Sequence, residues 1–139
     1  MIVPVTELAG IHHLGLTVLD AERSAGWYRE VLGFYEVGRL GDEHSVRRKI
    51  FLRHDGFPIR LGLVLHRDGS QQRFDETTAG LDHLSFAVRD RGALERWCLR
   101  FDELGVEYTP IADANSIPGA VVVFRDPDNI QLELFVDTA

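Results

Sequence analysis

The chain carries one short pattern twice, 70 residues apart. Residues 10–20 read GIHHLGLTVLD, and residues 80–90 read GLDHLSFAVRD. Identical residues recur at matching places in the two copies: Gly10 and Gly80, His13 and His83, Leu14 and Leu84, Val18 and Val88, Asp20 and Asp90. A repeat of this length indicates a duplicated structural unit. A histidine that recurs inside an otherwise apolar strand is therefore a candidate for a site that the two units share.

Length and charge set the broad class of the protein. The 139 residues fit one domain, with module one at 8–66, a polar linker at 67–79 and module two at 80–137. The net charge of −7 argues against nucleic acid or a membrane as partner, because both attract clustered cations. The N-terminus does not resemble a secretory signal, and the single cysteine, Cys98, suits a reducing compartment. The sequence therefore predicts a cytoplasmic protein that acts on a small molecule.

Hydrophobic periodicity and turn residues predict the same order of elements in both modules: a strand, a helix and three more strands. Module one has a strand at 11–18, a helix at 20–32 and strands near 34–40, 46–54 and 58–66. Module two has a strand at 81–88, a helix at 90–104 and strands near 106–111, 119–125 and 129–136. The predicted fold class is α+β, with two tandem βαβββ modules that form a cupped mixed sheet.

Alternation along three of these strands separates an apolar face from a face of small or polar residues. The second face carries His13, Gly15 and Thr17 in the first strand and His83, Ser85 and Ala87 in the equivalent strand of module two. In the last strand it carries Gln131, Glu133 and Phe135. We expect the helices to cover the apolar faces, so that the other faces line a cavity.

The strongest metal-ligating groups on this cavity face are His13, His83 and Glu133. Two imidazoles and one carboxylate form a facial triad, which leaves open positions for substrate and suits Fe, Mn, Zn, Ni or Co. The alternative is that each histidine is a satisfied core residue and that Glu133 pairs with an arginine. The recurrence of the histidine in register, together with Glu133 on a third strand, favours a divalent metal ion. A cation there is also physically reasonable, because an unpaired buried carboxylate is costly.

Strand parity also selects further candidate site residues. Glu133 and His66 are the candidate catalytic residues, since His66 shares the parity of the fourth strand's cavity face. The candidate substrate-binding residues are Arg60, Gly62, Thr17, Ser85, Gln131 and Phe135. His12 is expected to point away from the metal, because neighbouring residues of a strand face opposite sides. His44 and His54 lie near turns and are expected to be exposed.

Three segments of the chain resemble a known family. They are the opening His13–Asp20 with Trp27, Tyr28 and Val31–Phe34, the second opening Leu81–His83, and the ending Phe124–Leu134. Together they resemble the vicinal oxygen chelate superfamily, which contains glyoxalases, bleomycin-resistance proteins and extradiol dioxygenases. The resemblance implies two βαβββ modules around a divalent metal ion, often in a homodimer, with up to four ligands. His13, His83 and Glu133 match three of those ligand positions.

The fourth ligand position falls on Gly62, which has no ligating side chain. The resemblance implies Glu or Gln there in glyoxalase I-type and methylmalonyl-CoA epimerase-type enzymes. The three-ligand set is instead similar to that of extradiol dioxygenases and fosfomycin-modifying thiol transferases, although residues 120–124 lack the tyrosine of the extradiol enzymes. The expected function is a metal-dependent enzyme, dioxygenase-like or lyase-like, that chelates a small oxygen-rich substrate through vicinal oxygens. The alternative is a bleomycin-resistance-type binding protein without catalysis.

Overall fold

The computed structural model describes residues 1–138, and its secondary structure follows the repeat. Module one contains β1 (His13–Thr17), α1 (Ala21–Trp27), β2 (Tyr35–Leu40), β3 (Arg47–His54) and β4 (Phe57–His66). Module two contains β5 (Leu84–Ala87), α2 (Arg91–Leu104), β6 (Ala112–Asp113), β7 (Gly119–Arg125) and β8 (Gln131–Asp137). A π-helical turn, Tyr28–Leu32, extends α1. The linker, 67–79, contains neither helix nor strand.

The repeated aspartates and the glycines that follow each helix set the helix limits. Asp20 accepts a hydrogen bond from the backbone N–H of Arg23, and Asp90 caps α2 in the same way. Gly33 and Gly105 then end the helical segments with φ angles of 83° and 68°, which favour glycine. No helix within residues 1–138 is long and apolar enough to cross a membrane.

Each module forms its own four-stranded mixed sheet. The strand order is β1-β4-β3-β2 in the first sheet and β5-β8-β7-β6 in the second. The first and fourth strands of each module are parallel neighbours, whereas the hairpin pairs are antiparallel. This topology confirms the predicted α+β fold of two βαβββ modules. It also makes neighbours of β5 and β8, which carry the predicted ligands His83 and Glu133, and of β1 and β4, which carry His13 and Gly62.

The two sheets bury one face each, and both buried faces contribute to one core. Leu16, Leu52 and Leu63 line this core from the first sheet, and Val122 and Leu132 line it from the second. The helix α1 packs on β3 and β4, and α2 packs on β7 and β8. The apolar strand faces are therefore the helix-covered faces, as the alternation in the sequence predicts.

The modules contact each other through residues on the helix side of the sheets. The Trp27 ring of α1 stacks on Phe124 of β7, with ring centroids 6.2 Å apart. Arg100 of α2 donates through Nε to the carbonyl oxygen of Val31 at 3.0 Å. Since these contacts hold the covered faces together, the opposite faces of both sheets lie outside the shared core.

The predicted strand near 106–111 is wrong. Tyr108 forms only an isolated bridge with Phe124, and paired strand structure begins at β6. Pro110 accounts for the difference, because proline has no N–H to donate to the neighbouring strand. The first strands of the modules also begin later than predicted, at His13 and Leu84 rather than at 11 and 81.

Candidate metal centre

The predicted cavity faces are the exposed faces of the two sheets. In β1, Leu16 is buried, whereas Gly15 and Thr17 on either side of it are exposed. In β8, Leu132 is buried, and the side chain of Glu133 next to it retains 17% of its exposure. The alternation assigned from the sequence is therefore confirmed in both modules.

An imidazole and a carboxylate meet on the exposed face of the second sheet. The Nε2 atom of His83 lies 3.4 Å from Oε1 of Glu133. The two residues meet because β5 and β8 are parallel and pair Ser85 with Glu133. A spacing near 3 Å is what two ligands at about 2.1 Å from one ion would need at a right angle. The pair is thus spaced as neighbouring ligands of a divalent metal ion would be.

Asp82 holds the other nitrogen of the same imidazole. Its Oδ1 atom lies 2.7 Å from Nδ1 of His83. A neutral His83 that donates from Nδ1 to this carboxylate has an unprotonated Nε2, and that nitrogen points to Glu133. Carboxylates that orient a ligating imidazole in this way are a regular part of metal sites. The donor set therefore fits a divalent ion at His83 and Glu133.

Gln131, a candidate substrate-binding residue, contributes to the support of Asp82. Its amide nitrogen lies 3.2 Å from both the carbonyl oxygen and Oδ1 of Asp82. Its amide oxygen accepts from Arg125, which also donates to both carboxylate oxygens of Glu76. The Arg125 hydrogen bond lowers the pKa of Glu76 from its ordinary value to about 2. A continuous polar network thus runs from Glu76 to the histidine.

The equivalent histidine of module one has a different neighbour. His13 is the register partner of Arg60 on β4, and its Nδ1 lies 2.9 Å from Nδ1 of His12. The expectation that His12 points away is wrong, since the two rings contact edge to face. The reason is that β1 begins at His13, so the pleat of the strand does not set the direction of His12.

One chain does not assemble the three predicted ligands. Within residues 1–138, no three His, Cys, Asp or Glu side chains come close enough together to hold one metal ion. His83 and Glu133 are in contact on the second sheet, whereas His13 lies on the exposed face of the first sheet. His13 is therefore not part of the His83–Glu133 pair within the chain.

The remaining candidates lie in several places. Arg60 and Ser85 both line a crevice of about 260 Å³ between the modules. Thr17 and His66 line a separate cavity of about 360 Å³ near the end of β1. The catalytic role of His66 remains a prediction that no contact with Glu133 supports.

Packing contacts fix the positions of Phe135 and His54. Phe135 covers Gly119 of the neighbouring strand, where an added Cβ would lie 2.6 Å from the Phe135 ring. The expected exposure of His54 is wrong. Its Nε2 is hydrogen-bonded to the carbonyl oxygen of Leu32 at 3.0 Å, and its ring stacks on Phe57. These contacts form because the β3–β4 hairpin folds against the end of the first helical segment.

Asp82 is not among the residues predicted from the sequence, although the repeat contains the signal for it. His12 and Asp82 occupy the same position of the two copies, directly before the repeated histidine. In the structure each of them contacts Nδ1 of the histidine that follows. A polar residue at this repeated position, rather than the histidine alone, would have indicated an oriented imidazole.

The fold and the site define a two-module βαβββ protein with an imidazole–carboxylate pair on an open sheet face. The chain belongs to the Glyoxalase/Bleomycin resistance protein/Dioxygenase superfamily, whose family model matches residues 10–134. This membership confirms the resemblance of the three sequence segments. It does not select one activity, because the fold carries many.

Individual relatives cover nearly the whole chain. The uncharacterized protein YwkD of Bacillus subtilis (strain 168) is 30% identical over 128 residues, which cover 92% of this chain and 97% of YwkD. A glyoxylase/bleomycin resistance protein/dioxygenase domain from Frankia sp. EAN1pec is 34% identical, with a TM-score of 0.82 over 94% of this chain and 99% of that chain. The fosfomycin resistance protein FosX from Listeria monocytogenes, in a complex with Mn(II) and a sulfate ion, is 22% identical, with a TM-score of 0.70 and 95% coverage of both chains.

Proposed function

We propose that the protein is a metal-dependent enzyme that acts on a small, oxygen-rich substrate. The observation that carries this proposal is the array of Asp82, His83 and Glu133 on the exposed face of the second sheet. His83 and Glu133 would hold the ion, and Asp82 would keep the imidazole in the ligating tautomer. The bound ion would supply a Lewis acid that stabilises negative charge on two substrate oxygens.

Glu133 could also take part in proton transfer beside that ion. Glu133 has a second carboxylate oxygen, which can hold a proton of the substrate while the other oxygen faces His83. The FosX complex with Mn(II) supports the compatibility of this fold with a divalent ion. Dioxygenase-like or lyase-like chemistry on a substrate with vicinal oxygens remains the reaction class that we propose.

The third ligand in this proposal is His13 of the partner subunit. A two-fold dimer can bring the exposed face of each first sheet against the exposed face of the other chain's second sheet, and this pairing occurs twice. His13 and His83 lie on equivalent strands of the two modules, so each completed site would contain His13 from one chain and His83 from the other. We therefore propose a homodimer with two equivalent metal sites, each built from both chains.

Exposed apolar side chains support such a dimer. Large apolar residues that retain more than a third of their exposure are concentrated in the N-terminal segment and on β2: Met1, Ile2, Val3, Val5, Leu8, Ile11, Tyr35, Val37 and Leu40. Extended exposed apolar surface is uncommon on monomers and is typical of contact surfaces. The N-terminal segment and the edge strand of the first sheet are thus the surfaces that we expect the second copy to cover.

Dimers that contain two different variants test both the proposed ligands and the location of the site between two chains. One chain carries His13→Ala, the other carries Glu133→Ala, and two affinity tags isolate the dimer that contains one of each. In the proposed arrangement one site loses both residues and the other keeps all three. We expect each parent variant to lack metal and the mixed dimer to recover about one ion, since a two-fold dimer has two sites.

The matched control combines His83→Ala with Glu133→Ala. These residues belong to the same module, so neither site of that mixed dimer is complete and no metal should return. Recovery in the control, or none in the test pair, would rule out a site that joins His13 to the second sheet of the other chain. A wild-type chain that takes up less than about a tenth of an equivalent of any divalent ion would instead favour the non-catalytic binding protein.

A further inference from the structure

Four cations share the exposed face of the first sheet. Arg47, Lys49 and Arg53 occupy alternate positions of β3, and Arg60 lies on the neighbouring strand β4. Of the residues between them, Ile50 and Leu52 point into the core, and Arg48 lies on that same side of the sheet near Glu22. The only acidic residue in the four strands of this sheet, Glu36, is bound by Arg39. This face therefore concentrates positive charge in a chain whose net charge is −7.

The four cations have no side-chain partner within residues 1–138. Arg47, Lys49, Arg53 and Arg60 make neither a side-chain hydrogen bond nor an ion pair there. Arg39, on the opposite side of the sheet, binds Glu22. The Nε atom of Arg53 is shielded from solvent and unsatisfied. Burying a charged donor without an acceptor is unfavourable, so an acceptor from outside the chain would relieve this cost.

An aromatic ring lies between the cations. Phe51 is the register partner of both Gly62 and Gly38, and Gly62 pairs with Gly15, so the ring is the only side chain in a row across all four strands. A Cβ added at Gly62 or Gly38 would meet the ring at 3.8 Å, an ordinary contact. Crowding does not require glycine at these places, and the half-exposed ring offers one flat apolar surface beside charged groups.

We infer that this face binds an organic anion with a flat body. Arg53, Arg60 and Lys49 would bind its carboxylate, phosphate or phosphonate oxygens, and the body would lie over Phe51. Guanidinium groups suit such oxygens because they offer paired donors. The inference deepens the proposed function by naming a substrate class. Its link to the metal ion rests on that proposed function, because Arg60 is the register partner of the proposed ligand His13.

The test titrates the metal-free full chain, prepared with a chelator, with sodium benzoate at constant ionic strength in a calorimeter. Benzoate should bind, and the affinity for its neutral analogue benzamide should be lower by at least about tenfold. Arg60→Gln and Arg53→Gln should each weaken benzoate binding by about the same factor. The matched control is Arg73→Gln, which removes an exposed linker arginine and should change nothing. Phe51→Leu should weaken benzoate and leave inorganic phosphate unchanged.

The His83→Ala variant separates this inference from the proposed function. Benzoate binding that survives in His83→Ala supports the inference, even if the wild-type chain binds no metal and the proposed function fails. Benzoate binding that is lost in His83→Ala but retained in Arg60→Gln overturns the inference and leaves the metal site in place. An Arg60→Gln variant that dissociates the dimer at unchanged benzoate affinity would assign the face to subunit contact, and that result also overturns the inference.

Discussion

The exposed faces of the two sheets differ far more than their buried faces do. Both buried faces consist of apolar residues, mainly leucine, isoleucine and valine, and they join in one core. The exposed face of the second sheet carries the His83–Glu133 pair, whereas the first sheet has Gly62 at the position of Glu133 and unpaired cations around it. The part that the two copies share is therefore the packing, and the part in which they differ is the chemistry.

A second difference lies at the junction of the modules. Tyr28 and Cys98 occupy the same position of the two copies, after Trp27 and Trp97. Tyr28 is fully buried and donates to Oδ2 of Asp126 at 2.9 Å, and burial raises the pKa of both groups. Cys98 is half-buried, and burial raises the pKa of its thiol, as expected for a packing residue. The copies thus contribute unequally to the contact between modules.

The largest effect that follows from this inequality is on stability. Tyr28→Ala should lower the free energy of unfolding by about 3–5 kcal/mol, because it leaves a cavity between the modules. Tyr28→Phe keeps the ring but removes one of the hydrogen bonds to Asp126, and it should cost about 1–2 kcal/mol. Urea unfolding at one fixed protein concentration measures both values, since the proposed dimer would make stability depend on concentration.

Cys98→Ala is the matched control, with an expected cost below about 1 kcal/mol at this half-buried position. Equal costs for Tyr28→Ala and Cys98→Ala would mean that the junction depends on both copies alike. That result would contradict the comparison, although it would leave the metal site untouched.

The sequence predicted the fold well because its strongest signals are local and occur twice. The helix starts at Asp20 and Asp90, the strand faces, and β7 at 119–125 all agree with the structure. The strand near 106–111 was mispredicted because apolar residues outweighed Pro110 in the pattern. His12 was misassigned because the alternation rule was applied one residue before the strand begins.

The candidate site was less predictable for a different reason. The pairing of β5 with β8 brings His83 to Glu133 within a module, and strand parity is enough to anticipate that contact. The relation of His13 to that pair depends on how two modules, and in our proposal two chains, pack together. No periodicity in one sequence encodes that arrangement. The Asp82 contact was missed for another reason, because the repeated histidine was considered without the polar residue that precedes it in both copies.

The next largest effect compares the two residues that precede the repeated histidines. Asp82→Asn keeps the shape of the side chain but removes the negative charge beside Nδ1 of His83. It should weaken divalent metal binding by about 10–100-fold, the usual range for a residue that orients a ligand. His12→Ala should weaken metal binding by less than about tenfold, because a neutral imidazole stabilises its neighbour less than a carboxylate does. Competition with a chromophoric chelator measures both affinities, and a larger loss in His12→Ala would reverse the comparison.

The smallest expected effect, and the most direct test of the difference between the copies, is at Gly62. Gly62→Glu gives the first sheet the residue type that the second sheet has at Glu133. If Gly62 faces the ion in the proposed dimer, the new carboxylate should tighten metal binding by about tenfold, as an added ligand with the right charge would. Gly38→Glu is the matched control, because Gly38 lies in the same row of the sheet beyond Phe51 and should not affect the metal. An added Cβ meets only ordinary contacts at either glycine, but Gly62 is buried, so circular dichroism of both variants checks that they fold. Gly62→Glu should also weaken benzoate binding, since the carboxylate would compete for Arg60. Weaker benzoate binding at unchanged metal affinity would mean that the position faces the cations but not the ion, and the absence of a fourth ligand would then no longer distinguish this chain from the glyoxalase I-type enzymes.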